Sequence, residues 1–297
     1  MTWSANISAS DREAGSAPGR ILPYRSATVA PGQASLRVIA RQDGRSVVSR
    51  AFATSPLRLL TPTNHGRAAW VYTSSYGGGL VDGDHIALDI DVGPGAAAFV
   101  STQASTKVYR SERGATSDLR ARVDDQGLLV VMPDPVVCFA SSRYRQTIRL
   151  DIAASAGLAL VDWLSSGRCA SGERWAFHEY TSKLVARVDD RLVVHDALAL
   201  RADDGDLAAR LGRFDVLAFA LLLGTPLRST AAAIVSDVSR LPIRIREDLL
   251  VAASPLGDGG CLLRLAGRSV EEVGSGLRRY LAVLPSLLED DPWARKW

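Results

Sequence analysis

Between Gly77 and Ser111 the chain reads GGGLVDGDHIALDIDVGPGAAAFVSTQASTKVYRS, and no other stretch constrains the fold as much. Gly77, Gly78, Gly79 and Gly83 let the backbone enter φ > 0 conformations that other residues adopt only at a cost, so a tight turn or bulge is expected. From Ile86 the period is two. Ile86, Leu88, Ile90 and Val92 point one way and Ala87, Asp89 and Asp91 the other, the mark of a strand with one face in a core and one in water. A second turn, Gly93-Pro94-Gly95, follows. Then Ser101, Thr102, Gln103, Ser105, Thr106 and Lys107 put polar groups on both faces, where an ordinary strand alternates.

Two sharper readings of the glycine turn fail on chemistry. A phosphate-cradling loop needs a Lys-Ser/Thr pair opening a helix, but Gly83 is followed by Asp84-His85 and a strand, and Asp82 and Asp84 would repel a phosphate. Asp82, Asp84, His85, Asp89 and Asp91 could be drawn together as a cation site. The calcium-loop spacing with its closing Glu is missing, so a solvated face is the favoured reading.

At 297 residues and 47% hydrophobic content the chain can bury a substantial core. Its 35 basic and 32 acidic residues nearly balance, with no cationic block to track a phosphate backbone, so nucleic acid is not an implied partner. Cys138, Cys169 and Cys261 form no CxxC pair, which argues against a disulfide framework or zinc knuckle and makes a reduced cytoplasm the default. Residues 1–20 have no apolar signal core and are expected to be a mobile tail, with one β-rich domain over 21–297. The longest apolar run, Val216 to Leu223, is too short to span a bilayer.

Strands are expected at Pro31–Asp43 and Arg45–Ala53 about the turn dipeptide Asp43-Gly44, and at Ala68–Ser75. More follow at Ser117–Val123, Leu128–Met132, Val136–Phe139, Tyr144–Ile152, Leu158–Leu164, Trp175–Ala186 and Arg191–Leu200. Their spacing of roughly ten residues is that of an antiparallel all-β architecture. Helical spacing appears at about 206–223, ending at Gly224 with Pro226 beyond, and at about 268–288, where Ser269 is placed to cap. Between these helices, strands are expected at Ala231–Ser236, Ile243–Ala253 and Gly260–Ala266.

Catalysis finds little support. There is no G-x-S-x-G elbow, and His65, His85, His178 and His195 are scattered singly without HExxH or HxH spacing. A tight metal site recruits several His or Cys ligands, and the chain is poor in both. A route that passes metal onward instead needs weak, exchangeable oxygen ligands, which carboxylates and hydroxyls supply.

The glycine turn and polar run resemble the signature of the urease accessory protein UreD (UreH) family, in which a GGLVGGD turn precedes a TTQAATKVYRS strand. The likeness extends to the proline-flanked Leu57-Arg58-Leu59-Leu60, similar to the family's PLRL, and to Pro133-Asp134-Pro135, which resembles LPDP. Gly167-Arg168-Cys169-Ala170-Ser171-Gly172-Glu173-Arg174-Trp175 is similar to GRxxxGExW, and Arg295-Lys296-Trp297 resembles the family's Arg-Lys-aromatic ending. One position departs. Asp82 stands where the family has Gly, so position 82 needs no φ > 0, and its carboxylate either faces solvent or draws cations.

The resemblance implies a mainly β fold, a right-handed β-helical or solenoid-like arrangement of many short strands with two α-helices in the C-terminal third. It also implies a non-catalytic cytoplasmic scaffold in a hetero-oligomer with UreF, the GTPase UreG and the urease structural subunits. No cofactor is expected to be tightly bound; Ni2+ is in transit through an internal polar tunnel. By that likeness Asp84, Thr102, Ser105, Thr106, Asp134 and Glu173 are expected to line the tunnel as transient metal contacts. Gly78, Gly79, Gly83, Lys107, Tyr109 and Arg110 are expected to hold the motif's shape. For each lining residue the plain alternative is a satisfied buried polar group. For the whole chain the alternative is a β-rich structural or adhesion module, which leaves the polar run and the helical C-terminus without explanation.

Overall fold

The computed structural model describes residues 31–294 except 64, 243 and 258; the expected tail over 1–20 and the closing 295–297 lie outside the described residues. The first hairpin, β1 (Gln33–Ala40) and β2 (Ser46–Ala53), forms about Asp43-Gly44 as expected. There follow β3 (Leu57–Leu60), β4 (Ala69–Ser75), β5 (His85–Val92), β6 (Ala97–Thr102), β7 (Thr106–Val108) and β8 (Ala115–Val123). Next come β9 (Leu128–Met132), β10 (Val136–Cys138), β11 (Arg143–Ile152), β12 (Gly157–Ser165), β13 (Glu179–Val188) and β14 (Arg191–Arg201). The last third holds α1 (Leu207–Leu211), β15 (Val216–Gly224), α2 (Arg228–Ser239), β16 (Leu250–Pro255), β17 (Cys261–Gly267), α3 (Val270–Tyr280) and α4 (Leu284–Leu288).

The strands form two facing sheets. The smaller runs β14-β13-β11-β8-β5-β1-β2, and the larger β16-β17-β15-β12-β9-β6-β4-β3 with β7 and β10 attached beside β12. In the middle of the chain, pairing is parallel: β5, β8, β11 and β13 in one sheet, β4, β6, β9 and β12 in the other. Parallel neighbours cannot be joined by a tight hairpin, so the chain crosses to the opposite sheet between them. The ten-residue spacing therefore reflects crossing and not antiparallel meandering, which corrects the antiparallel expectation. Antiparallel pairs close both ends, β1–β2 and β3–β4 early, β13–β14 and β15–β17 late. Neither sheet closes into a barrel. The architecture is thus mainly β with two mixed sheets, and a β-helical solenoid is not confirmed.

The C-terminal third differs most from expectation. Of the helix expected over 206–223 only α1 forms, capped by Asp206 accepting the Ala209 N–H at 3.1 Å, and Val216–Gly224 is a strand. The reason is that β15 is covered on both faces. Leu221 and Leu223 pack between the sheets, Ala218, Ala220 and Leu222 against the helices, and a run apolar all round mimics a buried helix. Conversely Ala231–Ser236 is not a strand but the centre of α2, whose Ala231 and Ile234 lie buried on the larger sheet. The β-branched Ile234 and Val235 mislead here, because packing overrides propensity. Of the described residues in the strand expected over Ile243–Ala253 only the stretch from Leu250 is strand, and Trp175–Ala186 begins as strand only at Glu179. The helix expected over 268–288 splits at Leu281 into α3 and α4, with Pro285 in the first turn of α4, where a missing N–H is harmless. Ser269 caps α3 as expected, accepting the Glu272 N–H at 3.1 Å. Among the described residues no helix is long and apolar enough to cross a membrane.

The buried apolar residues form three clusters. One lies between the larger sheet and α2, α3 and α4, holding Ile234, Val273, Leu277, Leu284 and Leu288. The other two lie between the sheets and are separate from each other.

Candidate functional site

What separates the two inter-sheet clusters is a polar layer, and strand alternation builds it. Along β11, Tyr144 belongs to one cluster and Ile148, Leu150 and Ile152 to the other, with Gln146 between them on the same face. Along β13, Ser182 stands in the same way between Tyr180 and Leu184, and along β8, Ser117 between Ala115 and Ala121. Parallel pairing places Ser117, Gln146 and Ser182 in register on adjacent strands. From the facing sheet Asp162 enters the layer, between Leu160 and Leu164 on β12.

Gln146 and Asp162 are 9% and 6% exposed and bond across the gap. Gln146 Nε2 donates to Asp162 Oδ2 at 2.5 Å and lies 2.9 Å from Ser182 Oγ and 3.1 Å from the Tyr180 hydroxyl. Ser182 Oγ donates to the same Asp162 oxygen at 3.1 Å. Burial raises the Asp162 carboxyl above the usual carboxylate range, against hydrogen bonds from Gln146, Ser182 and the Trp163 amide that pull it down. Burial also raises the Tyr144 and Tyr180 hydroxyls, which therefore stay protonated.

Two cavities flank this centre. One, of about 130 Å³, is lined by Thr102, Thr106, Ser117, Asp134, Gln146 and Asp162 along with apolar side chains of both sheets. The other, of about 620 Å³, is lined by Asp162, Tyr180 and Ser182 and reaches the edge strands β14 and β16 and the strand β17 beside β16. At that edge Arg264 Nη2 donates to Asp196 Oδ1 at 2.7 Å, tying β17 of one sheet to β14 of the other. Neither lining contains His or Cys. Among the described residues no three His, Cys, Asp or Glu side chains form a metal-holding group.

The residues singled out from sequence divide into two groups. Thr102, Thr106 and Asp134 come together at the first cavity: the Asp134 N–H donates to Thr102 Oγ1 at 2.7 Å, and Thr102 Oγ1 lies 3.3 Å from Asp134 Oδ2. Ser105 is half-buried just beyond the bend at Gln103 and Ala104, outside that lining. The bend also explains the polar run. β6 ends at Thr102 and β7 begins at Thr106, so the run is two strands and an exposed corner.

Asp84 and Glu173 instead hold their own loops. Asp84 Oδ2 accepts the Val81 N–H at 2.8 Å, closing the glycine turn. The neighbouring Asp82 accepts the Arg113 and Gly114 N–H groups at 2.8 and 3.0 Å, and the Arg113 guanidinium holds its carboxyl below the usual range. Glu173 pairs with Arg168 and accepts the Ala140 N–H at 3.1 Å; the Arg168 bonds are the main reason its carboxyl is held low. The Arg168 guanidinium also lies over Phe139, 4.3 Å from the ring centroid, and Phe139 meets Tyr109 edge-on at 5.1 Å. These contacts fasten the second landmark to the signature.

The two halves of the signature dock through main chain. Leu80 N–H donates to the Lys107 carbonyl at 2.8 Å and Tyr109 N–H to the Leu80 carbonyl at 2.9 Å. Gly79 permits this approach, since a Cβ there would lie 2.6 Å from the Lys107 carbonyl oxygen. Gly78 and Gly83 have φ of 72° and 84°, the left-handed region that favours glycine. The side chains of Lys107 and Arg110 are exposed.

Sequence reasoning missed the centre of the layer, Gln146, Asp162 and Ser182. The signal was present at Gln146 and Ser182, each a polar residue at the inward position of an alternating strand.

Residues 30–297 match the family model of the UreD urease accessory protein. The chain is 52% identical over 260 residues to the protein named "Urease accessory protein UreD" in Sorangium cellulosum (strain So ce56), covering 88% of this chain and 83% of that one. It is 45% identical to the protein of the same name in Anaeromyxobacter sp. (strain Fw109-5), over 86% of this chain and 87% of that one. It is 34% identical to "Urease accessory protein D" of Oryza sativa subsp. japonica, over 90% of this chain and 96% of that one.

Proposed function

Because this chain belongs to the UreD urease accessory protein family, we propose that it is a cytoplasmic urease maturation factor. In this reading it is a non-catalytic scaffold that binds apo-urease with UreF and the GTPase UreG, and Ni2+ passes through its polar layer to the urease active site. The observation that carries the reading is the layer itself. Burying a carboxylic acid, an amide and several hydroxyls between two apolar clusters costs stability that an all-apolar interior would not. A path for a cation gives that cost a purpose.

The chemistry of the lining fits cargo better than storage. Oxygen donors such as Thr102, Thr106, Asp134, Gln146 and Asp162 hold a borderline cation weakly, whereas His or Cys would retain it. Asp84, Asp82 and Glu173 then serve by fixing the loops around the signature, and Ser105 by setting the corner where β6 hands over to β7.

The test is Thr106→Leu. A bulkier apolar side chain at the cavity wall narrows and dewets the path while leaving the docking surfaces in place. Pull-down of UreF and urease should persist while the nickel content of the urease falls. If binding and loading are lost together the change has disrupted the core, and if neither is lost the layer is no conduit.

A further inference from the structure

The far end of the polar layer closes on an ion pair in an unusual place. Arg264 sits at an inward position of β17, two residues from Leu262 of the inter-sheet core, while its neighbours Leu263 and Leu265 face the helices. Asp196 occupies the corresponding place on β14, two residues from core Val194. The pair therefore spans the exposed end of the larger cavity, from β17, the second strand of the larger sheet, to β14, the edge strand of the smaller, with the buried Asp162 and Ser182 on the cavity's inner wall. A surface ion pair has no need to lie across such an opening.

Resting on the conduit reading, we propose that Arg264 gates this mouth for cations and that Asp196 is the ligand it covers and releases. The guanidinium stays charged at any working pH, so a divalent cation at the mouth meets a fixed positive charge. The Asp196 carboxylate that would receive the cation is occupied by the same guanidinium. Exchange between the two is within reach because the pair is solvated: Arg264 is 49% exposed and Asp196 27%. Solvated pairs of this kind bias an equilibrium by about fivefold at most, enough to close the mouth and not enough to lock it. Cation entry and guanidinium displacement thus become one event at one carboxylate.

A gate and a structural tie respond oppositely to the two halves of the pair. Arg264→Gln removes the fixed charge and frees the carboxylate, so cations enter faster. Asp196→Asn leaves the charge uncompensated and removes the ligand, so cations enter more slowly. If the pair only tied the two sheets together, both changes would loosen the mouth in the same direction.

A single reporter thiol reads this in the full chain. Leu198 lines the same cavity and pairs with Ser182, so Leu198→Cys in a Cys169→Ser background places a probe inside the mouth. Cys138 and Cys261 stay silent, being buried, with thiols pushed up to about 12 and about 11. The measurement is the ratio of modification rates by a cationic and a neutral methanethiosulfonate. The ratio should rise about fivefold in Arg264→Gln, fall in Asp196→Asn, and stay within about twofold of the parent in Arg264→Lys. An unmoved ratio, or movement in the same direction for both variants, overturns the gate. The reporter uses neither urease nor nickel, so that failure leaves the conduit reading standing. A responsive reporter in a protein whose Thr106→Leu variant loads urease normally keeps the gate and removes the conduit.

Discussion

Gln146 on β11 donates its amide N–H to Asp162 on β12 at 2.5 Å, directly across the gap between the two sheets. The contact joins a parallel run of one sheet to a parallel run of the other at a level where apolar packing is interrupted. It is also a pairing of two groups that would each be costly to bury alone.

Gln146→Leu should therefore be more damaging than its small change in volume implies. Asp162 would keep only Ser182 and its backbone partner, and a buried polar group deprived of a bond costs about 1–3 kcal/mol. A urea titration should show a lower midpoint with the slope unchanged. The double variant Gln146→Leu/Asp162→Leu should recover most of that loss, since replacing both partners by apolar groups removes the unmet demand. It should still fail to load nickel into urease, which would separate the stability of the layer from its use.

Glu179 gives a pH dependence of the ordinary sign. It is buried, it accepts from Arg145 Nη2 at 2.6 Å and from Arg201 at 3.4 Å, and the Arg145 bond is the main reason its carboxyl is held below the usual range. A depressed folded-state pKa contributes stability that is present above the unfolded value of about 4.3 and is lost as pH falls toward the folded value. The native chain should exceed Glu179→Gln by about 2 kcal/mol near pH 7, the scale of a hydrogen bond to a charged group. That gap should shrink as pH drops below about 4, which denaturant midpoints at several pH values would measure.

Legibility in the sequence followed the range of the interactions. The first hairpin, the β5 alternation and the Ser269 cap were readable because each is fixed by residues close in the chain. The family likeness pointed to Gly79, Lys107 and Tyr109 as holding the motif's shape, but the docking of the turn onto the strand was not legible, because main-chain bonds leave no mark on side-chain chemistry beyond Gly79. Asp162 was hidden. It lies on β12, whose Ala159 and Val161 face the helices while Leu158 and Leu160 face the other sheet, so no alternation reveals which way the acid points. The same two-sided burial turned β15 into an apparent helix. Asp84 and Glu173 were lining candidates through the family likeness alone, and their bonds to the Val81 and Ala140 amides were hidden because a carboxylate in a glycine-rich loop gives no sign of which backbone group it holds.

The glycine turn offers a steric comparison. Gly79 is extended, with φ of 168°, so Gly79→Ala carries no conformational penalty and its whole cost is the clash with the Lys107 carbonyl at 2.6 Å and the Tyr109 ring at 2.7 Å. At Gly77, φ is 79° and nothing lies within 4 Å, so Gly77→Ala carries only a backbone cost. Overpacking against main chain costs about 1–3 kcal/mol, the backbone term about 1 kcal/mol. Gly79→Ala should lower the melting temperature further than Gly77→Ala, and it should do so by parting Leu80 from Lys107, seen as faster amide exchange at Leu80 and Tyr109.

Asp162 should show a pH dependence opposite to that of Glu179. Its folded-state carboxyl is raised by burial, so the folded chain binds a proton more tightly than the unfolded chain does. Below the unfolded value of about 3.9 both states are protonated and the group is neutral in its effect. As pH rises above that value the unfolded chain ionises first, and stability falls until the folded carboxyl has ionised too. Asp162→Asn removes the titration while keeping an oxygen to accept from Gln146 and Ser182. Its stability relative to the native chain should therefore climb as pH rises above about 4 and level off once the folded carboxyl has ionised, by roughly 1.4 kcal/mol for each unit by which the folded value exceeds the unfolded one. A relative stability that stays flat over this range would mean that the bonds from Gln146, Ser182 and the Trp163 amide compensate the buried charge in full. The interior would then hold a carboxylate throughout this range.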